Sequence, residues 1–75
     1  MISLDRIAPG ERVQVVDIPT DDPLKVPLEQ FGITVGSILQ CRYFSPGGDL
    51  AALESQGSVL ALRRRELSGI TVRYC

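Results

Sequence analysis

The chain has no histidine and no tryptophan, and its 75 residues include only two cysteines, Cys41 and Cys75, and two each of Phe and Tyr. Without histidine, the side chain whose unperturbed charge changes near neutrality is missing, and with it every Ser-His, Cys-His or His-metal arrangement. Most common catalytic designs are thereby closed, and no enzyme is expected. Apolar runs are no longer than that from Val59 to Leu62, whereas a membrane-spanning helix needs roughly 20 residues. The opening residues, Met1-Ile2-Ser3-Leu4-Asp5-Arg6, lack a basic segment followed by a long apolar one. No secretion signal is therefore expected, and the protein reads as cytosolic. Two cysteines are too few for the disulfide framework of a secreted mini-protein, and without C-x-x-C spacing they fall short of a zinc site. Cys41 lies in an alternating apolar run and reads as a small buried hydrophobe, while Cys75 reads as mobile.

The residues that are present describe one small domain, 1–75. Eight Lys and Arg oppose nine Asp and Glu, a net charge of -1. This balance gives no whole-chain attraction for nucleic acid or for an anionic membrane. With 44% hydrophobic and 23% charged residues, the composition is that of a chain that folds.

Pro and Gly cut the sequence into short pieces at Pro9-Gly10, Gly32, Gly36, Pro46-Gly47-Gly48, Gly57 and Gly69, which reads as turns between strands. Ser3 to Ile7 suits one helical turn with Ser3 as N-cap, closing one end of a core. Arg12 to Ile18 is the first predicted strand. Its apolar residues on both faces, Val13 and Val15 against Val16 and Ile18, are what a curved strand near a bulge shows. Asp22 and Pro23 suit a helix start, but Pro27 argues against a regular continuation. The helical turn is accordingly expected only over Leu28 to Phe31, stopped by Gly32, with Leu24, Leu28 and Phe31 on one packing face. Further strands are predicted over Ser37–Phe44, with Leu39, Cys41 and Tyr43 facing the core, and over Asp49–Ser55, Ser58–Arg63 and Ile70–Tyr74. A single helical or 3-10 turn is predicted at Arg64–Ser68. Five short strands, with a short helical insertion after the first, make a small, partly open, SH3-like antiparallel β-barrel.

The order of these signals resembles the FeoA-type domain. Leu4-x-x-Ile7-x-Pro9-Gly10, Leu28, Phe31-Gly32-Ile33, Gly36-Ser37, Pro46-Gly47-Gly48-Asp49, Gly57, Leu60-Ala61-Leu62-Arg63 and Ile70-Thr71-Val72 fall in that family's order and spacing, over about residues 2 to 73. In the resemblance, Gly32, Gly36, Pro46, Gly47, Asp49 and Gly57 are the structural motif. The resemblance implies a small cytosolic accessory of bacterial ferrous iron transport that binds and modulates the membrane GTPase permease FeoB, and so sits at the inner face of the membrane through that partner. The same domain type forms the C-terminal SH3-like module of metal-dependent repressors. A metal-responsive regulatory module is therefore the alternative, with a generic SH3-like peptide-binding adaptor behind it. Family members commonly carry two basic residues on a regular helix just before the position of Leu28; here Lys25-Val26-Pro27 stands there. They also often have Pro after the position of Asp49, where this chain has Leu50.

Candidate chemistry is sparse. Asp21 and Asp22 could supply half a carboxylate metal site, with Asp17 and Glu29 the nearest further candidates. Adjacent carboxylates usually diverge, however, and a turn with an N-cap explains them. No resident cofactor is expected, and ferrous iron or another divalent ion would be held at most weakly and transiently. The one charge run is Arg63-Arg64-Arg65. Arg63 reads as bracing a turn and Arg64 and Arg65 as solvated, unless they dock on an acidic partner surface, for which planar guanidinium groups are suited. The expected partner-binding residues are Lys25, Gln30, Arg63, Arg64 and Arg65. A nucleic-acid role would need aromatic platforms and a wider basic field. Tyr43, Phe44 and Tyr74 are the residues available to line a peptide groove.

Overall fold

Turn chemistry decides where this chain reverses. Gln56 and Gly57 both take positive φ, 52° and 83°, the two-residue arrangement whose twist matches that of flanking strands. It sets Ser55 opposite Ser58 and thereby the register of the hairpin. At Pro46-Gly47-Gly48 the reversal is wider. The Gly48 amide donates to the Ser45 carbonyl at 2.8 Å, and the Leu50 amide donates to Ser45 Oγ at 3.0 Å.

The computed structural model describes all residues 1–75. Its strands are β1 (Ile2–Ser3), β2 (Arg12–Asp17), β3 (Ile38–Phe44), β4 (Leu50–Ser55), β5 (Ser58–Arg63) and β6 (Thr71–Tyr74), with one α-helix, α1 (Lys25–Gln30), between β2 and β3. They form one six-stranded sheet in the order β1-β6-β2-β3-β4-β5, every neighbouring pair antiparallel. The extra strand relative to the expected five is β1, which pairs Ile2 with Val72 and Ser3 with Thr71. At two residues it is too short to show an alternation in sequence. Directly after β1 comes only a 3-10 turn of three residues, Leu4–Arg6, and Ser3 makes no side-chain cap to it.

The sheet curls but does not close, because the edge strands β1 and β5 do not pair. Two short 3-10 segments, Leu4–Arg6 and Arg64–Gly69, pack on each other there. Each buries a leucine, Leu4 and Leu67, and the Leu4 amide donates to the Ile70 carbonyl at 2.8 Å. Side chains thus do what strand pairing would do in a closed barrel. The core they complete gathers Val13, Val15, Leu39, Cys41, Leu53, Ile70 and Val72 from four strands and the segment before β6, together with Ile18, Leu24, Leu28 and Ile33 from the α1 region.

Strand irregularities account for most departures from the expected facing. In β2 the pairing with β6 shifts between Val15 and Asp17, so the predicted bulge is present, and Ile18 returns to the core after Val15. In β3 the pairing with β4 shifts between Cys41 and Tyr43. Arg42 is the extra residue, and every side chain beyond it changes face. Tyr43, expected in the core, is consequently 60% exposed, while Phe44 packs against the core.

Helix α1 begins earlier than expected. With Leu24 as the residue flanking its start, Pro27 is the third helical residue. There the missing amide is one of those that have no partner within any helix. Asp22 is not the cap; its carboxylate accepts the Leu24 amide at 2.8 Å, which turns the chain into the helix. Gly32, with φ of 92°, ends α1 as expected. Its amide donates to the Glu29 carbonyl and that of Ile33 to the Leu28 carbonyl, the paired closure that favours glycine at the left-handed position. That closure corrects the expected packing face. Ile33, fully buried, meets Leu28, and Phe31 is left on the surface.

Candidate functional site

Only one polar residue, Ser55, is buried beside the core, and the other polar side chains lie wholly or partly at the surface. The three consecutive arginines leave β5 just where the chain enters the second 3-10 segment. There they border the Pro46-Gly47-Gly48 turn. Arg63, Arg64 and Arg65 with Gly48 and Asp49 line a recess of about 240 Å³ that has no apolar side chain in its wall.

The brace of this turn is Arg64, where the sequence pointed to Arg63. Its guanidinium lies 3.9 Å from the centre of the Phe44 ring, and Nη1 donates to the Gly48 carbonyl at 3.2 Å. A flat, delocalised cation on an aromatic face makes both contacts at once, which a lysine would not. The Arg64 amide adds a bond to the Asp49 carbonyl at 2.9 Å. Gly48 is required at this approach: its φ is 80°, and a Cβ there would lie 3.2 Å from Arg64 Nη1. Arg63 and Arg65 are exposed, as expected of Arg65. Gly48 and Phe44 went unrecognised as parts of this site. The second glycine of the turn was the available signal for the first, and the bulge at Arg42 hid the second.

Lys25 and Gln30 sit at the two ends of α1, and Lys25 pairs with Glu29 at 3.8 Å. Neither lines the arginine recess. A second cleft links the two regions, because Arg65, Glu66, Ser68 and Gly69 face Asp22, Pro23 and Leu24 across it. Asp22 reaches so near Gly69 that a Cβ there would collide with its carboxylate. Asp22 is therefore committed to the Leu24 amide and to this close approach. No three of the Asp, Glu and Cys side chains come together as a metal-binding group. The aromatic groove has no counterpart either: Phe44 lies under Arg64, Tyr74 donates to Glu11 Oε1 at 3.2 Å, and none of the clefts is lined by Tyr43, Phe44 or Tyr74.

The motif glycines Gly32, Gly36, Gly47 and Gly57 all have φ between 83° and 95°. Gly36, two residues before β3, donates to the Val15 carbonyl of β2 at 2.8 Å. Cys41 is fully buried and Cys75 exposed, both as free thiols. Burial pushes the Cys41 thiol pKa up, with the nearby Arg64 charge working against it and Glu11 with it. Because the folded value lies above the unfolded one, the stability this contributes is full below the unfolded pKa and lost as pH rises through the folded one. At about pH 8.5, iodoacetamide should label Cys75 and spare Cys41 until urea is added. Mass spectrometry showing equal labelling of both in the native protein would contradict the packing of β3.

The FeoA domain family model matches residues 2–74. Among solved structures, a FeoA-like protein from Clostridium acetobutylicum is 27% identical with a TM-score of 0.87, over 97% of this chain and 85% of that one. The FeoA protein of Chlorobium tepidum is 29% identical with a TM-score of 0.87, over 97% of this chain and 70% of that one. A manganese-dependent transcriptional repressor shares the fold at 17% identity and a TM-score of 0.86, over 99% of this chain and 41% of the repressor. Nothing among curated proteins matches the chain. The match across nearly all of its length, with these structural likenesses, places the chain in the FeoA domain family.

Proposed function

We propose that this protein is a cytosolic accessory of ferrous iron transport that acts by docking on the cytosolic part of the FeoB permease and modulating it. The observation that carries this reading is the family match over residues 2–74. The geometry supports it in one respect: the core is filled by apolar side chains, and two cationic groups without an ion-pair partner, Arg63 and Arg65, project from a braced turn. Guanidinium groups held at such a turn suit carboxylates on a partner surface. Lys25, held by Glu29, and Gln30 lie outside the recess, and we assign them the outer part of the contact. No helix is long and apolar enough to cross a membrane, so membrane proximity would come through the permease.

The repressor likeness is one of fold, and it supplies no ligand set for the alternative of a metal-responsive module. A titration of the isotopically labelled protein with the permease's GTPase domain tests the docking reading. The expected footprint covers Gly48, Asp49 and Arg63 to Arg65. A footprint confined to the surface around Arg12 and Arg73 would move the contact off this site. Ferrous uptake that is unchanged when the protein is deleted would remove the transport role altogether.

A further inference from the structure

Three arginines line the recess beside Gly48, and none has an anionic partner. The ion pairs of the protein lie elsewhere, Lys25 with Glu29 and Arg42 with Glu54. Asp49 is the single carboxylate in a wall that contains Arg63, Arg64 and Arg65, so the recess is locally cationic on a chain whose net charge is -1.

Arg64 is already fixed there by the Phe44 ring and the Gly48 carbonyl. One of its five guanidinium N–H donors is used in a hydrogen bond within the protein, and a charged fork with free donors favours an anion. The entropy of ordering a long side chain is lost when the domain folds, so a ligand meets a positioned group. Arg63 and Arg65 flank it as exposed forks.

We propose that this recess binds a phosphate-type oxyanion. A dianionic phosphate presents acceptors in several directions and can be shared by two or three planar forks, whereas one carboxylate is satisfied by a single fork. The wall has no apolar or aromatic side chain to seat a base, a sugar face or an acyl chain, so recognition is confined to the charged group. Phosphate binding draws on the recess alone and does not require that FeoB dock there.

The test uses the full chain and inorganic phosphate, followed by NMR at constant ionic strength, with acetate and chloride as matched controls. Saturable shifts of the amides of Gly48, Asp49 and Arg63 to Arg65 are expected with phosphate. Arg65→Gln should weaken binding about tenfold, the loss of one charge-assisted contact, and leave the remaining spectrum in place. Arg64→Lys should weaken it further while keeping the charge; if that variant does not fold, Arg63→Gln is the second measurement. Glycerol phosphate distinguishes the sources: binding equal to that of free phosphate assigns esterified phosphate groups, and its exclusion assigns the free anion. Three results would overturn the proposal: equal shifts with acetate, shifts that do not saturate and spread to Arg12, Arg42 and Arg73, or unchanged affinity in Arg65→Gln.

Discussion

Leu53→Ala should leave the domain at the edge of unfolding. Leu53 has no exposed surface and stands in β4 between Cys41 of β3 and Leu60 of β5, so no neighbour can move in without disturbing two strand pairings. Truncating a leucine in such a place costs about 2 to 5 kcal/mol. The whole domain, at roughly 0.05 to 0.15 kcal/mol per residue, has about 4 to 11 kcal/mol to lose. Urea denaturation followed by circular dichroism would show the midpoint falling by roughly a fifth or more, or no folded baseline at all. A midpoint within error of the parent protein would mean that the β3–β4–β5 packing is looser than described. Leu50→Ala in the same strand, at a side chain 37% exposed, should cost well under half as much and serves as the internal comparison.

The double reversal Arg63→Glu with Arg65→Glu should lower affinity for the permease's GTPase domain by about a hundredfold, since like charges facing each other across an interface cost several kcal/mol. Both side chains are exposed and neither makes an ion pair or side-chain hydrogen bond within the protein, so the melting temperature should stay close to that of the parent. That separation of effects is the reason to leave Arg64 untouched, because its removal would release the turn it braces. Reversal at Arg12, on β2 and away from the recess, should leave the affinity unchanged. Calorimetry with the purified domains measures both. Equal loss from Arg12→Glu would show a general charge effect without a site, and no loss from the double reversal would detach the arginine run from docking.

The strands β2 to β6 were legible because each is bounded by a turn whose glycines and prolines are local in their action. Gly32 as a helix stop and the bulge in β2 were legible for the same reason: one residue's conformational preference settles them. Three features were not. Strand β1 consists of Ile2 and Ser3 and exists through its pairing with Thr71 and Val72, a relation between distant parts of the chain. The bulge at Arg42 turns Tyr43 outward and Phe44 inward, and no composition marks it. Phe31 looked like a core residue on the helical period, but the period ends one residue before it, and Ile33 takes the interior position. In the arginine run the residue type was readable, while the division of labour was not. Which of three neighbours lies on Phe44 depends on where β5 ends and the 3-10 segment begins. The clash of a Cβ at Gly69 with Asp22 is likewise a fact of tertiary approach.

The strand order has a kinetic consequence. Strands β3, β4 and β5 are consecutive in sequence and adjacent in space, joined by two short connections, and local pairings of this kind form in microseconds. Strand β6 lies between β1 and β2, so the pairing of Ile2 with Val72 and of Val13 with Tyr74 must close loops that encompass nearly the whole chain. Loop closure of that length is unfavourable until contacts compensate it, and topologies dominated by such pairings fold in milliseconds to seconds. The meander is therefore expected to form ahead of the β6 pairings, whose insertion completes the domain. Until then the core side of β2 and the buried leucines of both 3-10 segments face water together. The two halves of the molecule thus become stable in one event, and because the meander precedes β6, a lesion in β5 should slow folding at least as much as an equal lesion in β6.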